Sequence, residues 1–184
     1  VLRHLRKELE EDFAKANFIV MGWGHVGFVN IFSQSPIRTL NDFRNSKPWV
    51  YPGDPLIEAC FKEMKVSGVP LGISGVVASL QTGLVNCIYN SPYGLLALQW
   101  HTNVQYCTEV TIVNPIGAVV ITKQSYEKIP AQYRPLIMKI FKEHFAKLVK
   151  RIDQDNEEAM SELQNKYKIQ VLQPENSWIE ETRK

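Results

Sequence analysis

The side chains best suited to nucleophilic or metal chemistry are the three cysteines, Cys60, Cys87 and Cys107, and the four histidines, His4, His25, His101 and His144. The cysteines are odd in number, and no two have the close spacing of a zinc knuckle or a redox dithiol, so buried free thiols are expected. A catalytic thiolate would need a histidine brought beside it by the fold. His25 and His101 would hold a metal only if a carboxylate or thiol converged on them, and no close pair exists. Neither a metal nor a cofactor is expected. Gly22-Trp-Gly-His-Val-Gly27 carries the three glycines of a dinucleotide fingerprint, but at the wrong spacing and ahead of a strand-like segment where a helix should open. That reading fails. Flexible backbone after a buried strand fits a crossing between lobes or a close approach to ligand.

Binding is better supported than catalysis by the stretch from Lys47 to Pro92. It reads as strand, helix, strand, short helix, strand, and repeatedly sets polar or aromatic residues just after a strand, where open α/β sheets collect ligands. We read it as the floor of a binding cleft.

Composition limits the partners. A chain of 184 residues can bury one substantial core or two small lobes. Its net charge of +2 comes from interspersed charges without a basic stripe, which argues against nucleic acid. Phe18 to Met21 and Ala118 to Ile121 are only strand-sized, so no apolar run approaches bilayer length. The chain opens inside a helical pattern, and a signal peptide is expected upstream of it.

The elements that must position these residues follow from periodicity. Leu2, Leu5, Leu9, Phe13 and Ala16 mark a helix feeding the strand Phe18 to Met21. Val29 to Phe32 is a strand, Thr39 caps a short helix with Asp42 in its first turn, and Trp49 to Tyr51 is the next strand. Asp54-Pro55 starts a helix that Gly68 stops, Ser74 caps another that Gly83 closes, and Leu84 to Tyr89 returns as a strand. Asn90-Ser-Pro begins a further helix. Tyr106 to Val113 and Gly117 to Thr122 are strands, and Ser125 to Ile129 is a brief helical turn. A single long helix runs from Ala131 to about Lys166, its apolar stripe broken at Asp153 to Asn156, where the turn is expected to be wet on all sides. Ile169 to Leu172 is a last strand before an amphipathic tail at Trp178. The charged face of the long helix reads as solvated surface, and its change of sign could serve docking to a partner.

Taken together, Ser35-Pro-Ile-Arg-Thr-Leu-Asn-Asp-Phe43, Lys47-Pro-Trp-Val-Tyr-Pro52, Val69-Pro70, Ser79-Leu-Gln-Thr-Gly83, Asn90 and Tyr126-Glu-Lys-Ile-Pro130 ahead of a very long helix resemble the later part of the solute receptors of tripartite ATP-independent periplasmic (TRAP) transporters, the DctP type. The resemblance covers nearly the whole chain. It implies an α/β, two-lobed, periplasmic-binding-protein-like fold with mainly parallel sheets and a long spine helix, the first lobe being incomplete. Residues 1–24 and 114–152 would belong to lobe I, residues 25–113 to lobe II, and residues 153–184 to the second half of the spine helix and the end of lobe II. It further implies a periplasmic or extracytoplasmic, non-enzymatic receptor that works with membrane permease subunits.

Departures from the family pattern point to the ligand. Where most of these receptors hold a carboxylate with arginine, this chain has Trp49, and at the position of a second arginine it has Val29. Neither can make the bidentate, charge-assisted contact that arginine makes. A buried carboxylate without a cation is costly. The expected ligand is therefore apolar or neutral and lipid-like. Trp49, Val29, Ile73, Tyr51, Tyr89, Trp23 and Phe28 would wall the site, with Asn90 and the tyrosine hydroxyls orienting its polar groups. The bland alternatives are a plain core role for Trp49, helix capping for Asn90, and a core-facing orientation for Tyr51 and Tyr89. Two rivals differ in kind: a receptor-derived sensor or lipid-binding scaffold uncoupled from transport, and an enzyme with a cysteine nucleophile.

Overall fold

The structure, a computed structural model, describes residues 2–182, with side-chain surroundings for residues 4–181. The chain forms two compact units, one of residues 1–27 with 114–154, the other of residues 28–113 with 155–184.

The first unit contains α1 (Leu2–Lys15), β1 (Phe18–His25), β7 (Ile116–Thr122), α6 (Lys123–Glu127) and the earlier part of α7 (Arg134–Asn165). Asn17 takes a left-handed conformation, φ 62°, and its carbonyl accepts the Lys123 N–H at 2.9 Å. β1 then pairs antiparallel with β7 from Phe18↔Thr122 to His25↔Ile116, interrupted by an irregularity between Val20 and Gly22. The strand is longer than Phe18 to Met21: Gly22 is not a flexible linker here but a place in the strand where a side chain would collide. A Cβ on Gly22 would stand 2.2 Å from the Phe145 ring on α7. In this unit the buried apolar residues among those described are Met21 and Trp23.

The second unit carries both hydrophobic core clusters of the described residues. Its main sheet has the order β5 (Cys87–Asn90), β2 (Val29–Ser33), β6 (Tyr106–Val113), β8 (Gln170–Leu172). β3 (Trp49–Val50) pairs in parallel with β4 (Val69–Pro70), and Pro48 bridges in parallel to Cys87 of β5. β5 and β6 both run antiparallel to β2, hence parallel to each other, and β8 is parallel to β6. All the strands of this unit except β2 therefore point the same way, as strand-helix-strand crossovers require.

Helices begin where caps are placed. Thr39 Oγ1 accepts the Asp42 N–H at 3.0 Å while Asp42 Oδ2 accepts the Thr39 N–H at 2.9 Å, a reciprocal capping box for α2 (Leu40–Asn45). Asp54 caps α3 (Pro55–Met64) by accepting from Leu56 and Ile57. This helix ends at Lys65, φ 56°, rather than at Gly68, because the left-handed turn sends Val66 into the core. Gly68 instead keeps clear of Phe61 and Val50, each 3.0 Å from where its Cβ would lie.

Ser74 does not cap α4 (Val76–Thr82). It lies inside a 3₁₀ turn, Ile73–Gly75, whose Gly75 N–H is taken by the Gly72 carbonyl. Gly83 closes α4 in the left-handed region as expected, φ 71°. α5 (Pro92–Ala97) is capped by Ser91, which accepts from Gly94. α7 continues through residues 153–156 without interruption. Asp155 and Asn156 are half-buried, so that turn is not wet on all sides, and Asn156 Oδ1 accepts the Tyr93 N–H at 3.1 Å. The tail forms α8 (Asn176–Thr182), anchored by Trp178 stacked on Phe43. No described helix is long and apolar enough to cross a membrane.

Candidate binding site

Trp49 is the centre of an aromatic cluster in the second unit. Only 5% of it is exposed. Its ring stacks on Tyr89 with centroids 5.0 Å apart and meets Trp100 edge-on at 5.2 Å. Its indole N–H donates to the Leu71 carbonyl at 2.7 Å, which fastens β3 to the chain leaving β4. The buried indole thus has aromatic neighbours for its ring and a partner for its one polar atom.

Tyr89 is half-buried, and its hydroxyl accepts the Tyr51 N–H at 3.1 Å. Burial pushes that hydroxyl's pKa up, and the Tyr51 N–H acts in the opposite sense, so the phenol stays neutral across the ordinary pH range. Tyr51 is 45% exposed and meets Trp49 at 6.3 Å. Ile73, at 48%, stands on the 3₁₀ turn just after Leu71, and Phe28, at 60%, just before β2. Val29 is buried opposite Val113. Asn90 ends β5, with Oδ1 accepting the Ser91 N–H at 2.8 Å.

Trp23 belongs to the first unit. Its indole N–H donates to Glu10 at 2.9 Å, and Phe13 meets it edge-on. Arg6, then Trp23, hold the Glu10 carboxyl below its ordinary pKa. The other residues expected at a site, Trp49, Asn90, Val29, Ile73, Tyr51, Tyr89 and Phe28, all lie in the second unit. Trp49, Tyr51 and Tyr89 are brought into direct contact.

Cys87 and Cys107 are buried, and burial raises both thiols to about 12. No group of three or more His, Cys, Asp and Glu able to hold a metal occurs among the described residues. His25 faces Asp153 at 3.4 Å, and its Nδ1 accepts the Gly27 N–H.

A separate groove of about 750 Å³ is bounded by α2, α3, β6 and α8. On its rim Arg44 donates to the Met64 carbonyl at 2.8 Å and to Glu181 at 3.2 Å. None of the residues expected at a site lines it.

Asn30 was missed by the sequence reading. It lies on β2 directly across from Asn90, a relationship that only the strand register reveals.

The second unit is an α/β body of capped helices packed on a largely one-directional sheet. Residues 3–184 match the family described as bacterial extracellular solute-binding protein, family 7 (DctP), and the chain belongs to that family. Several solved structures share the fold. A TRAP periplasmic solute-binding protein from Chromohalobacter salexigens with bound D-glucuronate has a TM-score of 0.88 at 15% identity, covering 98% of this chain and 60% of that one. One from Desulfovibrio salexigens with bound orotic acid has a TM-score of 0.85 at 20% identity, covering 99% and 58%. A Bordetella pertussis extracytoplasmic solute receptor binding pyroglutamic acid has a TM-score of 0.88 at 15% identity, covering 99% and 60%. The chain thus spans about 60% of the length of these relatives. No curated protein matches it.

Proposed function

We propose that the chain is part of an extracytoplasmic receptor of a TRAP-type transporter, one that binds a neutral, largely apolar solute and presents it to membrane permease subunits. Family membership and the shared fold support the receptor role. The solutes of the three solved relatives are acids, which favours a carboxylate ligand. The observation that outweighs this is the environment of Trp49. The residue at the family's arginine position is an indole locked between Tyr89 and Trp100, with its N–H already given to Leu71. Val29, at the second arginine position, is buried in the sheet. Neither supplies positive charge, and a desolvated carboxylate needs it. The receptor acts by closing on its solute and does no chemistry on it.

The test is mass spectrometry of an organic-solvent extract of the full-length protein purified natively, with titration of the stripped protein by D-glucuronate. An apolar co-purifying molecule and no response to D-glucuronate are expected. A small carboxylate in the extract, or tight D-glucuronate binding, overturns the reading of the ligand.

A further inference from the structure

The geometry points to Asn30 and Asn90 as a pair of carboxamides that hold the neutral polar head of the ligand, an ester or amide carbonyl with a neighbouring hydroxyl or N–H. This inference rests on the proposed apolar-ligand receptor and specifies what fixes the ligand's polar end. Asn30 and Asn90 are register partners in the antiparallel β2–β5 pair. Directly opposed residues share a face, with Cβ atoms about 5 Å apart. That face is also the face of Phe32 and Ile88, two residues nearer the middle of each strand, which pack in the same core cluster as Trp49. The two carboxamides therefore stand at the end of the strand face that Trp49 packs under.

Their orientations differ in a useful way. Asn90 is fixed: its Oδ1 accepts the Ser91 N–H at 2.8 Å and lies 2.3 Å from where a Cβ on Gly94 would be. The absence of a side chain at Gly94 is what admits it. With Oδ1 committed, Asn90 has its Nδ2 protons left to offer. Asn30 is half-buried, and among the described residues its side chain has no hydrogen-bond partner. It keeps both a donor and an acceptor. A fixed donor beside a donor-acceptor pair matches a neutral carbonyl that carries an adjacent hydroxyl or N–H. A carboxylate, which only accepts, would waste the Asn30 carbonyl and find no cation.

The experiment titrates the full-length protein, stripped of co-purified ligand, with 1-monolauroylglycerol, laurate and D-glucuronate by calorimetry below the micellar range. Wild type, Asn30→Leu and Asn30→Asp are compared. The near-isosteric Asn30→Asp carries the test if the leucine variant fails to fold. The neutral ester is expected to bind wild type about tenfold or more tighter than laurate, and each variant to lose about tenfold in affinity for it. Ester binding that is unchanged in both variants, or laurate binding as tightly as the ester, overturns the paired-carboxamide site and leaves the apolar receptor standing. D-glucuronate binding with no response to either lauroyl compound overturns the apolar reading, and this site with it.

Discussion

Trp49 donates its indole N–H to the carbonyl of Leu71 at 2.7 Å, so this buried residue is tied to the backbone that leaves β4. Its flat contact with Tyr89 and edge contact with Trp100 complete the burial.

Replacing Trp49 by alanine is expected to destabilise the second unit by about 3–5 kcal/mol, since a large buried aromatic leaves a cavity. Trp49→Phe keeps most of the packing but orphans the Leu71 carbonyl, at about 1–3 kcal/mol. Urea denaturation of both variants reads the ordering. A Trp49→Phe variant as stable as the wild type would show that the hydrogen bond contributes nothing.

Gly22→Ala is expected to cost about 1–3 kcal/mol, because the new methyl lands inside the Phe145 ring. The clash is specific to that pair, so Gly22→Ala combined with Phe145→Ala should cost less than the sum of the two single changes. A double-mutant cycle on thermal melting measures it. Strict additivity would place the cause elsewhere.

Asp42 gives the α2 cap an acid-sensitive component. Its carboxyl is held below its ordinary pKa, first by the Arg38 N–H and then by Thr39, against the opposing effect of burial. A carboxyl depressed in the folded state contributes stability above its unfolded pKa and loses it as pH falls through the folded one. Asp42→Asn should therefore flatten the decline in denaturation midpoint as pH falls below about 4, the ordinary aspartate range. An unchanged slope would exclude Asp42 as a source of the acid limb.

Iodoacetamide at neutral pH should modify Cys60 and spare Cys87 and Cys107, whose thiols burial raises to about 12. Peptide mass spectrometry before and after unfolding reads the difference. Rapid native labelling of Cys87 or Cys107 would mean that the second unit opens readily.

Where a local rule acts on neighbours in the chain, the sequence was readable. Thr39 with Asp42, Asp54 with Pro55, and Gly83 each announced a helix boundary that the structure shows. The long helix was legible from its stripe. The reading faltered where distant packing decides. β1 runs through Gly22 because Phe145, far along the chain, needs the space, and α3 stops at Lys65 because Val66 must be buried. At the candidate site, Trp49 and Asn90 stood out by their place in a motif. Asn30 did not, because its significance comes from facing Asn90 across two strands that are far apart in sequence.

The buried state of Cys87 and Cys107 makes this chain convenient to instrument. Once Cys60 is changed to serine, a thiol engineered at an exposed position such as Leu148 becomes the site in this chain that a maleimide dye reaches while Cys87 and Cys107 stay buried. On the proposed receptor function, the label would report solute capture as a change in fluorescence, without the ligand itself carrying any tag.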